Sequence, residues 1–119
     1  MSIVSGIPEI SVYEVEQKLK SGEEFVLLDV REEAELALAR IADERVCHVP
    51  LSRLAVEGIT ALPLETQVRD AEIVVFCHHG VRSADVTGWL LQQDWKHVRS
   101  MAGGIDLYAR RVDPAIGRY

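Results

Sequence analysis

Cys77 opens the segment Cys77-His78-His79-Gly80-Val81-Arg82-Ser83, which gathers a thiol, two imidazoles, a glycine, a guanidinium and a hydroxyl in one short stretch. The chemistry such a stretch suits is nucleophilic attack by sulfur. Thiolate rather than thiol is the nucleophile, so a working cysteine needs surroundings that favour the anion. A tight turn leading into a helix supplies them, because the first amides of a helix lack intrahelical partners and carry partial positive charge. A loop curling round a sulfur or an oxyanion aims several such amides inward. Gly80 lets the backbone approach closely or take a positive φ. Arg82 adds a permanent positive charge, and Ser83 is placed to cap the helix behind the loop. His78 and His79 are expected to serve through their backbone amides more than through their rings, with proton donation as the alternative role. The competing reading of Cys77 is a small apolar residue that ends a buried strand.

The flanking sequence must position this loop. Glu72-Ile73-Val74-Val75-Phe76 is the strongest strand signal in the chain,. Residues 83–93 read as a helix with Val86, Trp89 and Leu90 on one face,. Cys77 therefore stands beyond the carboxyl end of a strand and ahead of a helix, where open α/β sheets bind their ligands. Phe25-Val26-Leu27-Leu28-Asp29-Val30 is a second apolar run of the kind buried on both faces of a sheet,. Val46-Cys47-His48-Val49 and residues 97–101 are shorter strand candidates. Ser11 and Glu14 form a capping-box pattern ahead of Val12, Val15 and Leu19, and Gly22 ends that helix,. Residues 32–39, 52–62 and 104–112 are the remaining helix candidates, the first with acids in its opening turn,. Strands alternating with helices predict an α/β fold with a mostly parallel central sheet.

Composition narrows the partners. The chain has 119 residues, 48% hydrophobic and 27% charged, which fits one soluble globular domain,. Its core is expected over about 10–112, with tails at 1–8 and 113–119. The net charge of −6 argues against nucleic acid or an anionic membrane as partner,. Residues 1–60 hold twelve acids against six bases, whereas residues 61–119 hold seven of each, so the excess acidity lies away from Cys77 in sequence. Residues 1–8 lack the marks of a signal peptide, and no apolar run approaches a membrane span,. Two cysteines do not make a disulfide framework, so a reducing, cytoplasmic setting is expected,. No metal site is expected, because Cys47-His48 and Cys77-His78-His79 pair thiols with adjacent imidazoles that point apart,.

Four segments together resemble the rhodanese-like family, single-domain sulfurtransferases that carry sulfane sulfur on a cysteine. They are Leu28-Asp29-Val30-Arg31-Glu32, Val49-Pro50-Leu51, the Cys77–Ser83 loop, and Met101-Ala102-Gly103-Gly104-Ile105, with Tyr108 where the family usually has Trp. The resemblance implies a three-layer domain with about five strands and helices on both faces. It also implies that Cys77 forms the persulfide, that residues His78, His79, Gly80, Val81 and Arg82 cradle the outer sulfur, and that no cofactor beyond this covalent sulfur is used. Asp29 and Arg31 would support the site, with an ordinary surface salt bridge as the alternative. The implied partners are a small donor such as thiosulfate, or a persulfidated protein, and a thiophilic acceptor or sulfur-carrier protein. The sequence departs from the family at residues 39–46, where Ala39-Arg40-Ile41 replaces Gly-His-Ile and a longer stretch follows, and at Asp94, where Gly is common.

Two other functions fit parts of the pattern. A cysteine phosphatase or arsenate reductase would use Cys-x5-Arg, one residue longer than the Cys77-x4-Arg82 spacing here. A non-catalytic module could bind a partner or sense oxidants through Cys77. Cys47 is expected to be a buried structural thiol, with a disulfide to Cys77 as the alternative only if their Cα atoms come within about 7 Å.

Overall fold

A computed structural model describes residues 6–119. Five strands form one sheet in the order β1-β5-β4-β2-β3: β1 is Glu9–Ile10, β2 Val26–Asp29, β3 Val46–His48, β4 Glu72–Phe76 and β5 His97–Met101. Every pairing is parallel. The apolar runs at β2 and β4 are central strands, and alternate residues go to opposite faces. Leu28, Ile73 and Val75 pack beneath α2 (Leu51–Glu57) and α3 (Val81–Gln92), against Leu54, Val86 and Leu90. Leu27, Val74 and Phe76 pack on the other side against Val12 and Val15 of α1 (Val12–Ser21) and Ile105 and Tyr108 of α4 (Gly104–Arg111). The result is the three-layer α/β domain that the sequence implied.

The details show where local signals meet tertiary contacts. Ser11 caps α1 as expected, with the Glu14 amide donating to its Oγ at 3.1 Å and Gly22 in the left-handed conformation at the other end. The helix expected at 32–39 is only a short 3-10 stretch, Glu33–Ala37. Its bonds are drawn elsewhere: the Glu35 carboxylate reaches back to the Glu32 amide at 2.9 Å, and the Glu35 carbonyl accepts from Arg31 Nη1 at 3.2 Å. The helix expected at 52–62 ends at Glu57, because Gly58 takes φ +67°, and continues as a 3-10 turn, Gly58–Ala61. The altered 39–46 segment runs without regular structure until β3 begins at Val46: Ala39 and Ile41 are buried, and Arg45 is held by Asp43 and the Leu19 carbonyl. Asp94 adopts φ +74°, the left-handed conformation its type tolerates,.

Moving outward from β2 to β3, the chain crosses on the α1/α4 face; from β4 to β5 it crosses through α3 on the opposite face. Right-handed crossovers in opposite directions must use opposite faces. The loops after β2 and β4 therefore part, and a crevice opens between them at the carboxyl ends of the strands. Asp29 is in register with Phe76, so Asp29 and Arg31 flank Cys77 across this crevice.

Candidate active site

Cys77 is 1% exposed, directly beyond β4. Three bonds converge on its sulfur. The Gly80 amide donates at 3.1 Å and the Ser83 amide at 3.3 Å, while the thiol can donate to Ser83 Oγ at 3.4 Å. Of the loop residues expected to turn amides inward, Gly80 bonds the sulfur itself, whereas the Ser83 amide joins it from beyond the expected set. Gly80 is the residue that lets the chain turn: its φ is +101°, and a Cβ there would lie 3.2 Å from the Gly103 nitrogen.

Ser83 does not cap α3 as the sequence suggested. Gly80 occupies that position, α3 begins at Val81, and Ser83 lies inside the first turn facing the sulfur. Its hydroxyl also meets Ser100 Oγ at 2.8 Å in the buried interior. A hydroxyl between a sulfur and a second hydroxyl can reverse its bond direction. It accepts from a thiol in one state and donates to an anionic sulfur in the other.

The Gly103-Gly104 pair explains itself once the loop is in place. Gly104 has φ +65°, and a Cβ there would fall 2.6 Å from the Cys77 carbonyl oxygen. This close fit brings the first amides of α4 onto the loop: Ile105 donates to the Cys77 carbonyl at 2.8 Å and Asp106 to the His78 carbonyl at 3.0 Å. The backbone on the amino side of the loop is thus fixed from below, with orphan helix amides satisfied in the same contact.

Asp29 and Arg31 are not a surface pair. Both are buried, at 2% and 0% exposure, and the guanidinium lies along the carboxylate with bonds of 2.9–3.3 Å. The Arg31 amide adds a bond to Asp29 Oδ1 at 3.0 Å, and His48 Nε2 lies 2.7 Å from the Arg31 carbonyl. A buried guanidinium needs this much company, because an unpaired charge there would be costly.

Arg82 is likewise not a free positive charge. Its two terminal nitrogens grip the Glu35 carboxylate at 2.7 and 2.9 Å. Arg82 first, with the Glu32 amide and Tyr119 hydroxyl assisting, holds the Glu35 carboxyl down at about 2, well below its ordinary 4.5. The acid comes from the half of the chain that sequence placed away from the loop. Glu35 and Tyr119 are the site residues that sequence reasoning missed. Glu35 read only as one of the acids opening a helix, and Tyr119 lay in the presumed tail at 113–119, which in fact includes a 3-10 turn, Pro114–Ile116.

His78 stacks on Tyr119, whereas His79 is mostly exposed, with Nδ1 3.9 Å from Asp106 Oδ2. Val81 is exposed at the mouth of the loop. Cys47 is half-buried on edge strand β3 and not enclosed in the core; burial and the Glu65 carboxylate push its thiol up. Leu28 separates it from β4 in the sheet register, which puts its Cα about 10 Å from that of Val75,. Cys77 lies farther along, beyond the roughly 7 Å reach of a disulfide. Among the described residues, no cluster of three His, Cys, Asp or Glu could hold a metal ion. No helix there is long and apolar enough to cross a membrane.

A match to the Rhodanese-like domain family covers residues 11–111, which hold the site residues above except Tyr119, and the chain belongs to that family. A protein named Sulfurtransferase from Allochromatium vinosum is 28% identical over 110 residues, covering 92% of this chain and 95% of its own length. The thiosulfate sulfurtransferase GlpE of Pseudomonas paraeruginosa is 34% identical over 89 residues, covering 75% of this chain and 73% of its own. The crystal structure of a rhodanese-related protein from Thermoplasma volcanium superposes with a TM-score of 0.71 at 28% identity, covering 88% of this chain and 93% of that one.

Proposed function

We propose that this protein is a sulfurtransferase that moves sulfane sulfur through a persulfide on Cys77, with thiosulfate as a donor it accepts. Membership of the rhodanese-like family and relatives named for sulfur transfer support the reaction class; the donor named for the Pseudomonas relative supports thiosulfate. The observation that carries the mechanism is the convergence of the Gly80 and Ser83 amides and the Ser83 hydroxyl on one sulfur.

The Cys77 thiolate attacks the outer sulfur of thiosulfate. A Cys77–sulfur bond forms, the donor's sulfur–sulfur bond breaks, and sulfite leaves with the bonding electron pair. A thiophilic nucleophile, such as cyanide or the thiol of a small molecule or carrier protein, then attacks the outer sulfur and returns Cys77 as the thiolate. This is covalent catalysis in two half-reactions, so ping-pong kinetics follow. Fixed amides favour the anion on either side of each transfer without reorganising. The donor's charge is met chiefly by these amides, since the charge of Arg82 is shared with Glu35.

Intact-mass measurement after incubation with thiosulfate tests the reading. Wild-type protein should gain the mass of one sulfur, lose it on adding cyanide, and show neither change as Cys77→Ser. A wild-type chain that gains no sulfur and turns over no donor would sink the proposal, leaving partner binding or oxidant sensing at Cys77.

A further inference from the structure

The chain beyond α4 returns to the loop. Asp113 caps the short turn after it by accepting from the Ala115 amide at 3.2 Å, and the Arg40 amide then donates to the Ile116 carbonyl at 3.0 Å. Gly117, at φ +98°, passes so close to Leu38 that a Cβ would lie 2.5 Å from its carbonyl oxygen. This path delivers Tyr119 to the mouth of the crevice.

Tyr119 makes contact there in two directions. Its ring lies nearly parallel to the His78 imidazole, 3.8 Å between centroids at 8°, and its main-chain oxygen is 2.8 Å from His78 Nε2. Its hydroxyl accepts from Arg31 Nη1 at 3.1 Å and donates to Glu35 Oε1 at 2.8 Å. The directions are fixed, because a guanidinium can only donate and an ionised carboxylate can only accept. Burial also holds the phenol above its ordinary value, so it keeps the proton it donates. Glu35 in turn holds Arg82 through both terminal nitrogens.

His78 is the first residue after the nucleophile, and Arg82 immediately precedes Ser83, whose amide meets the sulfur. One side chain therefore touches the start of the loop directly and its end through Glu35. We propose that Tyr119 is a positioning residue, a clasp that holds both ends of the Cys77–Arg82 loop where the Gly80 and Ser83 amides meet the sulfur. The α4 amides already hold the Cys77 and His78 carbonyls and α3 carries the backbone from Val81 on, but the tie from the Arg82 end across to the segment after β2 is left to side chains. The clasp closes that end. Its effect on turnover rests on sulfur transfer at Cys77, whereas its effect on loop closure does not.

The test compares Tyr119→Phe and Tyr119→Ala in the full chain. Three quantities are followed: the rate of Cys77 alkylation by N-ethylmaleimide, kcat and KM with thiosulfate and cyanide, and the melting temperature. Phe keeps the stack on His78 and loses only the hydroxyl bonds. In Tyr119→Ala the alkylation rate should rise about tenfold as the buried thiol opens, and kcat should fall about tenfold with KM changed less than twofold, as expected for a misplaced reactive group. Tyr119→Phe should lie between wild type and Ala in both. The proposal is overturned if Tyr119→Ala alkylates and turns over within twofold of wild type. It is also overturned if the lost kcat returns fully on cooling below a lowered melting temperature, which would make Tyr119 a stability residue only. Should wild type load no sulfur, the sulfur-transfer reading fails while the alkylation rates still decide the clasp.

Discussion

The Glu35 carboxylate receives both terminal nitrogens of Arg82, at 2.7 and 2.9 Å, although the two residues come from opposite halves of the chain. This pair takes the one guanidinium of the Cys77–Ser83 loop and shares its charge with an acid. Removing the acid has two opposed effects. Glu35→Gln should lower the KM for thiosulfate about threefold, by leaving more positive charge near an anionic donor. It should also lower stability by about 1–2 kcal/mol, the loss of charge-assisted bonds at a partly exposed pair. Steady-state kinetics and urea unfolding at pH 7 read the two effects separately.

The same pair sets an acid limit. The Glu35 carboxyl titrates at about 2 in the folded protein against an ordinary 4.5. A depressed value means that its contribution is complete above the unfolded pKa and is lost as the pH falls through the folded one. Wild-type stability should therefore drop between about pH 5 and pH 2 more steeply than that of Glu35→Gln. Urea midpoints across that range would show parallel curves if Glu35 plays no part.

Gly104→Ala places a methyl group against the carbonyls of Cys77 and His78 and asks an alanine to hold φ +65°. Both demands push α4 away from the loop. The variant should lose more than about 1 kcal/mol and most of its activity. Thermal unfolding and sulfur loading are the measurements; a fully active, equally stable variant would contradict the packing described.

Asp29→Asn leaves the fully buried Arg31 without a charged partner. Breaking a buried pair from one side costs about 3–5 kcal/mol. The fall in the urea midpoint should exceed that of Glu35→Gln, because the latter pair keeps partial access to water.

Ser100→Ala removes the hydroxyl that partners Ser83 behind the sulfur. Losing one hydrogen bond of about 1 kcal/mol should slow persulfide formation several-fold while the loop backbone stays intact. Cys47→Ala, by contrast, should leave sulfur transfer within twofold of wild type, since the sheet register keeps Cys47 out of reach of Cys77,. Rapid-quench mass measurement resolves both effects.

How much of this was legible in the sequence depended on the range of each interaction. β2 and β4 fall within the apolar runs at 25–30 and 72–76, because strands buried on both faces carry their own signal,. The amide cradle round the Cys77 sulfur was partly legible because its donors, Gly80 and Ser83, follow it closely in sequence. β1 was not, since its two residues exist as a strand only through pairing with Ser100 and Met101. α3 starts earlier than its apolar face suggested because Gly80, with a left-handed backbone, ends the loop in place of a capping serine. Glu35 looked like a helix-initiating acid, and Tyr119 looked like part of an irregular end. Their roles arise from partners far away in sequence, which no local pattern records.

The pairing of β1 with β5 also bears on how the protein comes into being. Glu9 and Ile10 are made well before Ser100 and Met101, which are their only sheet neighbours among the described residues. Parallel contacts so distant in sequence close slowly, since chain entropy is lost before the contact rewards it. On the ribosome, Ile10 therefore waits exposed while the centre of the sheet is synthesised, and α4, whose amides fix the Cys77 carbonyl, emerges later still. Cys77 is therefore made before the helix that completes its cradle, and its loop settles only once Gly104–Arg111 has followed.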